Sequence, residues 1–147
     1  MIKSITSTWF ECIVSYDKVL EDGTNKKVTK TYTVDALTFT EAESTIIEEM
    51  KQYISGEFQI KNINPAQYRE VFFSEKKDDG MWFKMKVAFT TYDERTNKPK
   101  DSNVFYLVQA DNSERAQSYM NEVMAKSMLD YRIVSNVETK IMDVFKH

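Results

Sequence analysis

The chain has 147 residues, of which 41% are hydrophobic and 29% charged, with a formal net charge of −3 and one cysteine. That balance excludes a disordered chain, and the lack of any apolar run of roughly 18 residues excludes a membrane-spanning helix. Acidic and basic residues are interspersed, which argues against a protein that wraps duplex DNA by counterion release, and the lone Cys12 excludes an intrachain disulfide.

The opening stretch "MIKSITSTWFE" lacks the apolar run and cleavage site of a secretory signal, so a cytoplasmic protein is expected. Phe10, Cys12, Val14 and Tyr16 alternate with Trp9, Glu11, Ile13 and Ser15, the period of a strand. "EDGTNKK" supplies an Asp22-Gly23 hairpin turn, and Val28, Lys30, Tyr32 and Val34 alternate in a returning strand. Thr38 with Glu41 then reads as a capping box, followed by Ala42, Ile46, Met50 and Ile54 at helical spacing, with Gly56 placed to end the helix in a left-handed cap. An extended segment from Phe58 to Phe73 follows, bent at Asn64-Pro65 because proline donates nothing to a ladder. "SEKKDDG", Ser74 to Gly80, reads as a linker.

Beyond the linker the same order recurs. "MWFKMKVAF" echoes "TWFECIVSY": Trp9 aligns with Trp82, Phe10 with Phe83, Val14 with Val87 and Tyr16 with Phe89. "DERTNKPK" is the second hairpin loop, and Tyr32, Val34 and Ala36 align with Tyr106, Val108 and Ala110. A second helix opens at Asp111 and Glu114 and carries Ala116, Tyr119, Met120, Met124 and Met128 on its core face; an extended segment from Tyr131 to Phe145 closes the chain. The expected fold is therefore α+β, one domain over 1–147 made of two tandem β-β-α-β repeats (about 8–73 and 81–147, linker 74–80). Two helices and an antiparallel sheet of about six strands pack with pseudo-twofold symmetry, because one such unit buries too little to stand alone.

The inventory for catalysis is thin. The single histidine, His147, is the last residue, so a histidine base or triad has no footing, and one cysteine with one histidine cannot make a thiolate or imidazole zinc site. Cys12 falls on the core-facing side of its strand and reads as a structural thiol. Three glycines, at 23, 56 and 80, cannot build a phosphate-cradling loop. The carboxylates Glu41, Glu43, Glu48 and Glu49 on the first helix, and Asp78 and Asp79 in the linker, read as solvated surface. No catalytic residue, metal ligand or cofactor is expected.

The strand faces turned away from the helices are more informative. Trp9 lies on that face of the first strand, with Lys27, Thr29 and Thr31 beside it on the returning strand; Trp82, Lys84 and Lys86 share it in the second half, joined by Phe105 and Leu107. Rings with lysines and threonines can stack bases and meet phosphates, or meet a protein partner; the same tryptophans would also serve as packing in a seam between the halves or between copies. The expected function is non-enzymatic contact with a macromolecular partner, protein or a second copy, through Trp9, Lys27, Thr29, Thr31, Trp82, Lys84 and Lys86, with no membrane involved. Single-stranded nucleic-acid binding through the same face is the alternative, and a carboxylate-metal hydrolase or nuclease the third.

Over Trp9 to Met50 the chain resembles a family of small bacterial and phage proteins of about this length that carries only a domain-of-unknown-function label. The Trp-Phe start, "KKVTKTYTVDALTFTEAE" and the closing Glu-Glu-Met carry the likeness. The resemblance implies occurrence in gut-type bacteria, their phages or mobile elements, which favours nucleic-acid or host-protein contact, and it implies no activity.

Overall fold

The computed structural model describes residues 2–147. Its chain divides into two compact units, neither continuous in sequence: one is Ser7–Ala66 with Lys140–His147, the other is the residues up to Thr6 with Gln67–Thr139. The fold is mixed α+β, with two helices, two sheets and strands as the majority.

The first unit is built on the hairpin of β2 (Trp9–Val19) and β3 (Asn25–Asp35), paired antiparallel from Trp9 opposite Asp35 to Val19 opposite Asn25. Its turn needs Gly23, whose φ of 85° is open to glycine without strain, while Asp22 Oδ1 accepts from the Thr24 amide at 3.0 Å. Helix α1 (Phe39–Tyr53) starts as its sequence prescribes. Thr38 Oγ1 accepts from the Glu41 amide at 3.1 Å, and Glu41 reaches back to accept from the Leu37 amide at 3.1 Å. Ala42, Ile46 and Met50 on one face bury against Phe10, Cys12, Val14 and Val34, each large side chain contributing roughly 1.5–3 kcal/mol. β4 (Phe58–Pro65) flanks β2, and β9 (Ile141–Phe145) flanks β3, giving the order β4-β2-β3-β9.

The second unit is built on β6 (Met81–Tyr92) and β7 (Pro99–Ala110), antiparallel from Met81 opposite Ala110 to Tyr92 opposite Pro99. Helix α2 (Ser113–Ala125) buries Ala116, Tyr119, Met120 and Met124 against Phe83, Met85, Val87 and Val108. β8 (Asp130–Glu138) flanks β6; β5 (Glu70–Ser74) flanks β7, and β1 (Ile2–Thr6) lies outside β5, in the order β1-β5-β7-β6-β8.

Several expectations are corrected. The sheets are not wholly antiparallel, because β9 runs parallel to β3 and β5 parallel to β7. Each closing segment breaks into two strands: Pro65 ends β4, the chain re-forms as β5 in the other unit's sheet, and Thr139 and Lys140 separate β8 from β9. β1 is a strand that the sequence pattern does not announce. α1 ends without a glycine: Ile54 is its C-cap, its amide bonded to the Met50 carbonyl at 2.8 Å, and Gly56 is not left-handed. α2 is capped by Asn112, whose Oδ1 accepts from the Arg115 amide at 2.8 Å, rather than by Asp111. Met128 is not core: α2 stops at Ala125, and Met128 is 94% exposed at a φ of 58°.

Candidate binding sites

The linker aspartates separate sharply. Asp78 is exposed, whereas Asp79 is only 2% exposed, against the expectation that both are solvated. The reason is the hydroxyls that reach it: Ser74 Oγ, at the end of β5, and the Tyr119 hydroxyl, on the buried face of α2, each donate to Asp79 Oδ2 at 2.5 Å. Arg115 Nη1 lies 3.9 Å from Oδ1. Burial pushes this carboxyl up, but the Ser74 and Tyr119 hydrogen bonds, the Arg115 charge and the Asp111 backbone outweigh it and hold it below the usual aspartate range. The group ties the Ser74–Gly80 loop to α2, a structural task.

The expected partner face divides in two ways. Trp9 and Trp82 are 1% and 2% exposed, so neither indole meets a partner at the surface. Their size is the reason: an indole left in water forfeits the largest apolar burial a side chain offers, and Trp82 is met edge-on by the Phe73 ring at 5.5 Å. Leu107, on the same face as Trp82, is also buried. Lys27 and Thr29 are exposed and Thr31 half-buried, all on β3 of the first unit, with Lys27 opposite Asp17.

Lys84 and Lys86 belong to the second unit and stay near water. Their ammonium groups stand 5.2 and 5.8 Å from the centre of the Phe105 ring, close enough for cation–π attraction, and Lys84 also donates to Gln67 Oε1. Strand register adds what the sequence pattern did not. Lys84 is opposite Val137 on the edge strand β8, and Val137 is 58% exposed. This face therefore carries two cations, a half-buried ring and an open aliphatic side chain in adjacent positions.

A second arrangement, not anticipated from sequence, lies in the first unit around Tyr16, below the end of α1. Two depressions of about 540 and 280 Å³ share that residue. In the smaller one Phe145 stacks against Tyr32 at 5.6 Å and against Tyr53 at 6.2 Å, while the Lys30 ammonium stands 6.0 Å from the Tyr16 ring centre. Burial, then the neighbouring Tyr16, Asp143 and Tyr53, push the Tyr32 phenol up, which marks three phenols and a carboxylate converging on one place. The larger depression carries Asp17, Lys27, Glu57 and Gln59, together with Ser15, a residue 2% exposed whose hydroxyl is buried without a hydrogen-bond partner. Tyrosines at strand and helix ends were the available signal, but their convergence depends on β9 lying beside β3, which the sequence did not announce.

The remaining reactive groups have plain assignments. Cys12 is buried on the α1 side of β2, and burial, with Glu11 adding, pushes its thiol up to about 12. His147 Nε2 lies 3.7 Å from Glu49, and its backbone amide donates to Asp35 Oδ1 at 2.9 Å. Among the described residues no three His, Cys, Asp or Glu side chains come together to hold a metal ion, and no helix is long and apolar enough to cross a membrane. No curated protein and no solved structure matches the chain. The pattern of one family, described as Domain of unknown function (DUF4494), matches residues 8–147, and the chain belongs to that family.

Proposed function

We propose that the protein is a non-catalytic binding protein, of the bacterial and phage kind the resemblance implies and working in the cytoplasm. It contacts an acidic segment of a protein partner through the Lys84, Lys86, Phe105 and Val137 face of the second unit. The observation that carries this reading is the register of β6 with β8, which puts exposed Val137 directly across from Lys84. An open apolar side chain flanked by cations complements a partner strand or loop that alternates aliphatic and acidic residues. Single-stranded nucleic acid is less well supported, because both ammonium groups already attend the Phe105 ring on which a base would have to stack. The buried, high-pKa thiol of Cys12 supports a non-catalytic role.

The chain itself reads as a tandem duplication in which each sheet is completed by a strand from the other half. Corresponding details support this. Trp9 and Trp82 carbonyls accept from the amides of Ala66 and Thr139, at 2.8 and 2.9 Å. The ladder irregularity between Ile13 and Val14 recurs between Lys86 and Val87. Asp35 accepts from the His147 amide as Gln109 accepts from that of Ser74, both at 2.9 Å. The orders β4-β2-β3-β9 and β8-β6-β7-β5 correspond strand for strand.

The test titrates the full chain with a labelled peptide alternating glutamate and valine, and in parallel with mixed-sequence single-stranded DNA and RNA, at low and physiological salt. Peptide binding that weakens with salt and falls about tenfold or more in K84A/K86A is expected. Oligonucleotide binding without peptide binding would replace the proposal with the nucleic-acid reading. Binding of neither would overturn both.

A further inference from the structure

We infer that the open edge of β7, from Pro99 to Phe105, takes an added strand from a protein partner, one that alternates acidic and aliphatic residues. The inference rests on the proposed reading of the Lys84 and Lys86 face and adds where the partner's backbone is held. β6 lines one side of β7 from Pro99 to Ala110, whereas β5 lines the other only at Tyr106, Leu107 and Val108. Every residue from Pro99 to Val104 is exposed. Which backbone groups point to the vacant side follows from the hairpin. Pro99, opposite Tyr92, has no amide to give, and the Asp93 amide is bonded to the Lys98 carbonyl at 3.0 Å. The hydrogen-bonded pairs with β6 therefore fall at Lys100, Ser102 and Val104. The N–H and C=O groups of Asp101 and Asn103 point the other way, a template for another strand.

Two comparable edges are guarded. β8 is bulged, because Ser135 and Ile133 pair with Lys86 and Val87 and leave Val134 unmatched. The stretch of β3 beyond β9, Asn25 to Lys30, carries Lys26, Lys27 and Lys30. β7 keeps an unbroken register with β6, and its one lysine, Lys100, stands near the tip. Before Glu70 the chain is no longer paired to β7, and a notch of about 280 Å³ lies between Gln67, Arg69 and the stretch from Asn103 to Tyr106. The side chains around it select the occupant. Lys84 and Lys86 stem from β6, yet their ammonium groups stand 5.2 and 5.8 Å from the Phe105 ring centre on β7, and Lys84 reaches Gln67 in the notch. They overhang the place of an added strand on the Phe105 face, where Asp101 is already engaged by Arg132 at 3.2 Å. Val104, opposite Val87 and 38% exposed, offers apolar surface on the α2 face. Side chains alternate along a strand, so acids toward the lysines and aliphatics toward Val104 are the complement.

The full ¹⁵N-labelled chain is titrated with a peptide alternating glutamate and valine and with its glutamine-for-glutamate counterpart. Two further forms are N-methylated at every glutamate or at every valine amide. The parent peptide is expected to slow hydrogen exchange at the Asp101 and Asn103 amides and to leave Ser102 and Val104, already bonded to β6, unchanged. Amides of alternate residues in a strand point the same way, so one methylated form is expected to bind about tenfold more weakly and the other to keep its affinity. The glutamine peptide is expected to weaken about tenfold as well. Parent-peptide binding that falls in K84A/K86A but leaves exchange at Asp101 and Asn103 unchanged, or survives both methylations, overturns strand addition while the proposed function stands. No binding of the parent peptide overturns both. Equal binding of the glutamine peptide overturns the acidic occupant. So does slowed exchange at Asp101 and Asn103 that grows with protein concentration alone, which would put a second copy on the edge.

Discussion

Replacing Asp79 by asparagine tests the reading that this carboxylate is the fastening of the Ser74–Gly80 loop. The side chain keeps its shape and one oxygen to accept from the hydroxyls of Ser74 and Tyr119, which share a single oxygen in the parent too, but it loses the charge that strengthens both bonds. Hydrogen bonds to a charged group contribute roughly 1.5–3 kcal/mol each and neutral ones about 1, so a net loss of about 1–4 kcal/mol over the two bonds is expected. For a chain of this size that corresponds to a midpoint lower by about 3–15 °C. Urea denaturation at pH 7 measures it, with D78N, at the exposed neighbour, expected within about 0.5 kcal/mol of the parent. The sign with pH follows from the lowered native pKa. The stabilisation is fully present above the unfolded value of about 3.9 and is lost as pH falls through the native one, so the two proteins converge in acid. A D79N protein within about 0.5 kcal/mol of the parent at pH 7, or a gap that persists undiminished at pH 2, would refute the reasoning.

Two glycines give opposite expectations. Neither would bring an added methyl within 4 Å of other atoms, but Gly23 has a φ of 85° and Gly56 does not have a positive one. G23A is expected to cost about 1 kcal/mol and G56A to be neutral or to stabilise by about 0.5 kcal/mol, both read as shifts of the urea midpoint. Cys12, with its thiol pushed up to about 12, is expected to resist a disulfide-exchange reagent at pH 8 in the native protein and to react at once in denaturant. Because its native pKa is raised, its contribution to stability is complete below the unfolded value of about 8.5 and is lost as pH rises beyond it, so C12A is expected to flatten the alkaline decline. Ile46, fully buried against β2, is expected to cost about 2–5 kcal/mol as I46A.

Local periodicity determined much of this protein. Alternation over Phe10 to Tyr16 and Val28 to Val34, the Asp22-Gly23 turn and the Thr38 cap each act within a few residues, where sterics and hydrogen bonding decide alone, and the hairpin and the start of α1 lie where that pattern puts them. The echo of Trp-Phe at positions 9 and 82 falls at the start of β2 and of β6, the first strands of the two long hairpins. Tertiary structure decided the rest. β5 and β9 are five residues each and read as tails of the strands before them; only their partners, β7 and β3, make them separate, parallel strands in the other unit's sheet. Burial of Asp79 beside an exposed Asp78 depends on a neighbour distant in sequence, Tyr119. So does each candidate site: Val137 faces Lys84 only through the β6–β8 register, and Tyr32 meets Phe145 only because β9 runs beside β3. A single chain's periodicity states which side of a strand a residue takes, but what lies opposite is set by long-range pairing, whose energy no local window contains.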